Sequence, residues 1–410
     1  MLSGMVKSIG PLMIGAVSIF LGNTILITML PIRAQMEQFS ESAIGLMGTV
    51  HFAGFALGCI IGPWMVTRVG HIRCFAGFGA LMATTILLFP FLVDPIGWSA
   101  MRGLGGICVA VLYLVIESWL NDSADNKTRG AVLSVYIIAT NAVTVGGQLM
   151  VNLFPIDAYQ QFSMAAIFIV LAVVPMTLNK SVAPKPVPEA RLRIGRLWTL
   201  SPTGFIACIS VGAIEGAFWT LGPVYAQGRG MPVSDITLFM AAFVVGGLIS
   251  QWPIGRLSDK IDRRWVIIGC CVGTTATALV LANIDVSGGW KSMALAILHG
   301  AFMLPLYPLS LAHTNDYAPN DELVEVSGGL LLLYAAGAIS GPWAVGWAME
   351  YQGDGAALFL VMAGVLMALA GFILLRSVIR AAPTDRSLRS LFVPVPKTTQ
   401  SVYTLETDDD

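Results

Sequence analysis

Charged side chains are scarce in this sequence. Asp, Glu, Lys and Arg make up 11% of its 410 residues, and hydrophobic residues make up 56%. A typical soluble domain is about 25% charged. Because a charge at the centre of a membrane helix costs roughly 2.5–3.5 kcal/mol on insertion scales, the composition indicates a polytopic membrane protein. The net charge of −1 also gives no basic field that would favour nucleic-acid binding.

Motifs for metals, nucleotides and catalysis are missing as well. The six cysteines lie in or beside apolar runs, without CxxC or Cys/His spacing, so neither disulfides nor zinc are expected. There is no Walker loop, nucleotide fingerprint or Ser/His/Asp constellation. The sequence therefore predicts no cofactor and no enzymatic activity.

What the sequence does contain is a series of long apolar runs. About 20 apolar residues cross a bilayer, and backbone amides cannot stay unpaired in lipid, so each run should be a helix. Twelve spans are predicted, at residues 11–32, 43–67, 74–93, 98–120, 130–153, 161–179, 201–226, 235–254, 265–284, 291–313, 326–349 and 357–375.

Lys and Arg residues set the expected orientation. With both ends in the cytoplasm, 19 of the 23 basic residues lie inside, three lie outside, and Arg102 lies within a span, as the positive-inside rule requires. The Pro-rich, basic stretch at 179–200 is expected to be a cytoplasmic linker. It separates an N-terminal bundle, 1–178, from a C-terminal bundle, 201–380, and the polar residues 381–410 form an expected disordered tail.

The two halves repeat each other. "LPIRAQ" (30–35) matches "GPVYAQ" (222–227) at an offset of 192, and the loops at 63–73 and 255–265 match at the same offset. After two inserted residues, "YLVIESWLND" (113–122) matches "YPLSLAHTND" (307–316). The chain therefore contains two copies of a six-helix repeat, and both copies have the same orientation in the membrane.

These segments carry a family resemblance. "GRLSDKIDRR" (255–264) resembles the loop signature of the major facilitator superfamily, and "MRGLGG" (101–106) resembles its fourth-helix signature. "ESWLN" (117–121) and "QWPIGRLSD" (251–259) are similar to the bacterial YcaD-like branch. The resemblance implies an all-α integral membrane protein, with two six-helix repeats around a midplane site. The match is incomplete, because Thr67 replaces the signature Asp in the first copy and the Gly-Pro antiporter signature is missing from the fifth helix.

Ionisable groups inside the spans are the candidates for chemistry. They are His51, Arg102, Glu117, Glu215 and His299. The resemblance places helices 1, 4, 7 and 10 around the cavity, and so implies a proton- or substrate-binding set of Glu215, Arg102, His299, Asn23, Trp219, Tyr113 and Tyr307.

Glu215 is the leading proton site, because it lies near the middle of its span and aligns with Asn23 in the other repeat. A purely structural hydrogen bond is its alternative. The resemblance implies that Arg102 adjusts the proton affinity of a nearby acidic group or binds an anionic substrate. The alternative is that its side chain extends to the outer lipid headgroups. His299 and the two tyrosines could instead be packing residues. Glu117 is expected to pair with the loop arginines Arg68 and Arg129 rather than with substrate.

The signature loop is expected to act as a latch at the cytoplasmic face. Its residues would hold the outward-facing state through ion pairs and a helix N-terminus; the alternative is that its basic residues only anchor lipid headgroups. The predicted latch residues are Gly255, Arg256, Asp259, Lys260, Arg264, Arg68 and Glu117.

These features predict a secondary active transporter in the inner, or plasma, membrane. Proton-coupled efflux of a small, partly apolar or cationic compound is favoured, since one buried acid beside aromatic residues suits a cation that competes with a proton. Import of a sugar or other metabolite, and a membrane sensor that does not transport, are the alternatives. The expected partners are a small-molecule substrate, protons and membrane lipids, with no nucleic acid, and the chain is expected to be a monomer.

Overall fold

The computed structural model describes residues 2–122, 129–178, 194–284, 288–319, 322–379 and 392, and every regular element among them is helical. The α-helices are α1 (Leu2–Met36), α2 (Glu41–Val69), α3 (His71–Leu88), α4 (Pro95–Asp122), α5 (Arg129–Met150), α6 (Gln160–Leu178), α7 (Ile194–Leu200), α8 (Pro202–Gly228), α9 (Val233–Lys260), α10 (Arg263–Asn283), α11 (Trp290–Met303), α12 (Leu306–Asn315), α13 (Leu323–Gln352) and α14 (Ala357–Ile379). Short 3-10 turns at Phe89–Phe91 and Val151–Leu153 follow α3 and α5.

The predicted number of spans is confirmed. Twelve helical stretches of the described chain are long and apolar enough to cross a membrane, and each overlaps one predicted span. The tenth span, predicted as continuous over 291–313, is interrupted between α11 and α12. Pro305 stands at this break. Because proline has no amide hydrogen and clashes with the preceding turn, it accounts for the interruption.

The chain forms two compact units. Of the described residues, unit 1 contains 2–37, 50–122 and 129–178, and unit 2 contains 38–49, 194–284, 288–319, 322–379 and 392. The short helix α7 lies within the stretch expected to be a linker. The rest of that linker and, apart from Phe392, the expected tail lie outside the described residues.

Close backbone packing in unit 1 joins α2 to α4. A Cβ atom on Gly106 would meet the carbonyl oxygen of His51 and the amide nitrogen of Phe55, and one on Gly54 would meet the carbonyl of Gly103. Small residues let membrane helices approach to this distance. The glycines of "MRGLGG" therefore place His51 of α2 directly beside Arg102 of α4.

Close backbone packing at glycine also joins α8 to α13 in unit 2. A Cβ atom on Gly212 would meet the carbonyl of Tyr334, and one on Gly337 would meet the carbonyl of Ile209. Each of these helices thus presents glycine to the other's backbone, which brings Tyr334 of α13 against the face of α8 that carries Glu215.

Residues 38–49 pack on α13 within the same unit. Thr49 Oγ1 donates a hydrogen bond of 2.6 Å to the Ile339 carbonyl and accepts one of 3.2 Å from the Trp343 amide. The Ser42 amide donates to Glu350 Oε2 at 3.2 Å. These contacts explain why the beginning of α2 belongs to unit 2.

The α2–α4 contact predicts that replacing either of two adjacent glycines by alanine has opposite effects on stability. Gly106→Ala should lower the free energy of unfolding by about 1–3 kcal/mol, because overpacking forces the helices apart. Gly105→Ala is the matched control, since a Cβ atom there has nothing within 4 Å, and it should be neutral or stabilise by up to about 1 kcal/mol. Thermal unfolding of the purified protein in detergent measures both, and equal melting temperatures would contradict the packing argument.

Candidate transport site

The interior of unit 2 holds a carboxylate bound to a phenol. Glu215 of α8 is only 1% exposed, and its Oε2 accepts a hydrogen bond of 2.9 Å from the Tyr334 hydroxyl of α13. The phenol stabilises the carboxylate without adding a second charge. The arrangement therefore fixes in position a side chain that can exchange a proton.

Tyr307 extends this pair to a third helix. It is the second residue of α12, just after the break at Pro305, and is fully buried. Its ring meets the ring of Tyr334 edge-on, with 5.0 Å between centroids. The interrupted tenth span thus positions a second tyrosine beside the hydrogen-bonded pair.

His299 lies in an aromatic cluster instead. Its ring centroid is 5.6 Å from that of Phe218, 5.4 Å from that of Phe359 and 6.0 Å from that of Phe243. Its Nδ1 lies 2.9 Å from Thr277 Oγ1. Trp219 is half-buried and packs edge-on against Phe243, at 5.6 Å. The cluster brings His299 and Trp219 together through Phe243, and among the described contacts none joins His299 to Glu215.

Unit 1 holds a small, mostly apolar cavity between α1, α2, α3 and α4. It has a volume of about 10 Å³ and is lined by Asn23, Leu26, His51, Met82, Thr85, Ile86, Phe89, Met101, Arg102 and Gly105. Arg102 is 9% exposed and Asn23 is 8% exposed. His51 Nδ1 lies 3.2 Å from the Arg102 carbonyl oxygen. Since that oxygen can only accept, Nδ1 carries the proton.

Tyr113 lies on the other side of Asn23. The Asn23 Nδ2 atom is 3.4 Å from the Tyr113 hydroxyl, and the Tyr113 ring stacks on Phe20 at 4.6 Å. The predicted residues Asn23, Arg102 and Tyr113 are therefore neighbours in unit 1, while Glu215 and Tyr307 are neighbours in unit 2. The expectation that Asn23 and Glu215 face each other stays a prediction.

The signature loop of unit 2 is organised around an arginine that the sequence motifs did not single out. The Arg263 side chain is 1% exposed, and it pairs with Asp259 and with Asp316, each at 3.0 Å. Asp262 begins α10 as its N-cap and binds Arg264 Nη2 at 2.6 Å. Burial alone would raise the pKa of Asp262, but hydrogen bonds from the Arg264 side chain and backbone hold that pKa below its usual range.

Two basic residues of the predicted latch take no part in these ion pairs. The Arg256 guanidinium stacks on the Trp252 ring, 4.0 Å from its centroid. Lys260 is exposed, and the described contacts include no ion pair for it. Gly255 contacts the Phe392 side chain, and the Phe392 amide donates to Asp259 Oδ1 at 3.1 Å. The carboxylates of this loop are thus engaged, while neither Arg256 nor Lys260 is paired with an acid among the described residues.

The corresponding region of unit 1 is simpler. Arg68 lies over the Trp64 ring, 5.3 Å from its centroid. Glu117 is fully buried and accepts a hydrogen bond of 3.1 Å from the Tyr136 hydroxyl. The side chain of Arg129, its other expected partner, lies outside the described residues.

Three residues central to these arrangements are not among those predicted from the sequence. Tyr334 lies on the eleventh span, outside the helices expected to line the cavity, and an uncharged phenol gives no hydropathy signal. Arg263 and Asp316 both lie within recognised motifs, "GRLSDKIDRR" and "YPLSLAHTND". Their charges, at the beginning of α10 and the end of α12, could have indicated an ion pair. In the part of the chain that the structure describes, no group of three His, Cys, Asp or Glu residues could hold a metal ion.

Comparison with known proteins agrees with this architecture. The sequence model of the Major Facilitator Superfamily matches residues 12–240 and 204–404. An uncharacterized MFS-type transporter of Enterobacter sp. (strain 638) is 27% identical over 86% of this chain and 92% of its own length. The uncharacterized MFS-type transporter YcaD of Escherichia fergusonii is 26% identical, with the same coverage of both chains.

Solved transporters share the fold. The nucleoside transporter NupG aligns with a TM-score of 0.75 at 14% identity, over 90% of this chain and 98% of its own. A bacterial homolog of the human lysosomal transporter Spinster aligns with a TM-score of 0.75 at 14% identity, over 93% and 97%. The twelve helices form the major facilitator fold of a multi-pass membrane protein. The chain belongs to the Major Facilitator Superfamily of secondary transporters, whose members carry small molecules, and it resembles the YcaD-like branch.

Proposed function

We propose that this transporter couples proton movement to the export of a small molecule across the cytoplasmic membrane by alternating access. Both termini lie in the cytoplasm, as the 19 basic residues assigned to that side favour. The chain works as a monomer in contact with membrane lipids. The observation that carries the proposal is the buried Glu215 carboxylate with its hydrogen bond from Tyr334.

Glu215 is suited to carry the proton. A carboxylate in a membrane interior is costly when charged, and it must therefore be compensated or protonated. Tyr334 donates to the charged form at 2.9 Å, and it can rotate to accept from the protonated form. Both protonation states thus have a hydrogen-bonded partner, which a carboxylate that cycles between them requires.

The residues around that carboxylate support export. Trp219 lies four residues along α8, on the same helix face, and remains half-buried. A substrate that stacks on Trp219 would reach the carboxylate and exchange with its proton. Exchange of an entering proton for a leaving substrate is antiport, so the inward proton gradient would drive export.

The proposed latch is the Arg263 cluster rather than the basic residues of the signature. Asp259 and Asp316 belong to different helical segments and meet on one buried guanidinium. Such a network has discrete made and broken arrangements, which a two-state transporter needs. Arg256 and Lys260 are left to contact headgroups.

Glu215→Gln should abolish proton flux that is evoked by substrate. Glutamine keeps the size and the hydrogen bond to Tyr334 but cannot release a proton. Proteoliposomes with an internal pH dye would be loaded with cationic drugs, sugars, amino acids or organic acids, and the flux of the wild type compared with that of the variant. A loss of at least 100-fold in rate is expected, on the order of 3 kcal/mol in the barrier.

Glu41→Gln is the matched control, because Glu41 lies in the first turn of α2 and not in the candidate site. It should leave the flux unchanged. Proton flux that persists in Glu215→Gln would place coupling elsewhere. Protons leaving the vesicles in the same direction as the substrate would contradict antiport and favour the import alternative.

The proposed latch predicts that the two carboxylates around Arg263 contribute unequally to stability. Asp316→Asn should lower the free energy of unfolding by about 1.5–3 kcal/mol, as expected for a buried hydrogen bond to a charged group. Asp259→Asn should cost less, because Asp259 is the more exposed of the two partners. Both should slow transport, as measured by flux in proteoliposomes and by unfolding in detergent.

Asp354→Asn provides the comparison, since Asp354 pairs with Arg229 away from the signature loop. It should leave the transport rate within about twofold of the wild type. A rate equally low in Asp354→Asn and Asp316→Asn would show that the loss follows from lowered stability alone.

A further inference from the structure

One residue of the C-terminal tail, Phe392, lies against the signature loop of unit 2. A Cβ atom on Gly255 would lie 2.6 Å from Cε1 and 2.8 Å from Cγ of the Phe392 ring, and its nearest neighbours all belong to that ring. The ring therefore packs directly on the backbone of α9, at a position that glycine leaves open. Phe392 is half-buried there.

The backbone of Phe392 is held as well. Its amide donates a hydrogen bond of 3.1 Å to Asp259 Oδ1. Gly255 and Asp259 are four residues apart in α9, so they lie on one face of the helix. The ring and the amide of a single tail residue thus contact two successive turns of α9, and the two contacts together fix both the position and the orientation of Phe392.

Asp259 is suited to accept from a second donor. It is the next-to-last residue of α9, where the helix dipole disfavours a negative charge. Arg263 Nη2 donates to the same oxygen at 3.0 Å, yet the Asp259 side chain remains 28% exposed, against 5% for that of Asp316. Asp259 is therefore the acid of the Arg263 cluster that another segment can reach, and hydrogen bonds to a carboxylate are among the strong ones.

The chain that leads to Phe392 is long enough for this contact. Phe392 is the thirteenth residue after Ile379, where α14 ends, and an extended chain of that length spans at most about 45 Å. The helix α14 packs against α10, and α10 begins just after the signature loop. The tail therefore reaches the loop without any displacement of the helices.

The matching loop of unit 1 does not offer the same two groups. At the offset of 192, Pro63 takes the place of Gly255, and Thr67 takes the place of Asp259. Proline carries side-chain atoms where glycine has none, and a threonine hydroxyl has no charge to strengthen a hydrogen bond from an amide. The combination of an open backbone and a carboxylate one turn later belongs to the loop of unit 2.

We propose that Gly255 and Asp259 form a docking surface for the chain's own C-terminal tail, with Phe392 as the anchor, and that the docked tail restrains the Arg263 latch. The Phe392 amide holds the Asp259 carboxylate in the orientation that Arg263 meets. Docking therefore favours the closed latch, and the latch opens more readily when the tail is released. The effect on transport rests on the proposed function, whereas the docking does not.

Trypsin cleavage of the tail in the full-length protein, in detergent, measures docking without any substrate. Arg389 and Lys397 flank Phe392 in the sequence, and intact-mass spectrometry reports cleavage after either. Because cleavage follows the undocked fraction, Phe392→Ala should be cleaved about fivefold faster than the wild type. Gly255→Ala should be cleaved equally fast, since its methyl group displaces the ring. Gly269→Ala is the matched control, because a Cβ atom there has nothing within 4 Å, and it should match the wild type.

A double variant shows whether one contact is responsible. Gly255→Ala combined with Phe392→Ala should be cleaved no faster than either single variant, because both changes break the same contact. Equal cleavage of the wild type and Phe392→Ala overturns the docking. Increases that add in the double variant overturn it as well, since they would show that the two residues act separately.

Asp316→Asn tests the link between docking and the latch, since Asp316 pairs with Arg263. Coupling between two sites is reciprocal, so weakening the latch should speed cleavage of the tail by about twofold. Asp354→Asn, which changes an acid paired with Arg229, should leave cleavage unchanged. Equal cleavage of Asp316→Asn and the wild type overturns the restraint of the latch.

The transport assay in proteoliposomes completes the test. Phe392→Ala leaves Asp259, Arg263 and Asp316 in place, so the latch still closes but is released sooner, and substrate-evoked proton flux should rise by about twofold. Unchanged or lower flux overturns the restraint. If the wild type itself shows no flux with any substrate, the proposed function fails, and the cleavage results still decide whether the tail docks.

Discussion

The cost of placing a charge where water is excluded governs this structure. Most of the chain avoids it by containing few charged residues, and the buried charges that remain have different kinds of partner. Arg263 has two carboxylates, Glu215 has a phenol, and Glu117 has another phenol. Arg102 has only uncharged neighbours among the described residues. Since an intramembrane charge is retained only where something repays its desolvation, the kind of partner indicates the role. Opposite charges favour a structural switch, and a phenol offers a hydrogen-bond partner to either protonation state of a carboxylate.

Glycine determines which of these partners can meet. In lipid there is little hydrophobic drive for helices to associate, so close backbone contact and dispersion have a larger share. Gly106 lets α4 approach the backbone of α2 at His51, next to Arg102. Gly212 lets α8 approach the backbone of α13 at Tyr334, which donates to Glu215. In both units the chemistry-bearing side chain lies within four residues of such a glycine. Packing and function are therefore specified by the same short stretches.

The sequence predicted the elements much better than their partners. A run of about 20 apolar residues is a strong signal because the bilayer imposes it, so the twelve spans could be counted from hydropathy alone. Residues such as Glu215 and Arg102 were found because a charged residue is conspicuous within an apolar run. Tyr334 was missed because its importance depends entirely on its contact with α8, and Arg263 because its burial depends on how α9, α10 and α12 meet. The break at Pro305 was missed since proline is tolerated in many membrane helices and its effect depends on the neighbouring packing.

The two units show how a duplicated fold can divide its chemistry. The signature loop keeps its acid in unit 2, as Asp259, whereas Thr67 stands at the matching position of unit 1. The buried acid of the candidate site also belongs to unit 2, and the buried base without a described counter-charge belongs to unit 1. The two copies therefore share their helices but not their charges, so each unit offers a different chemistry.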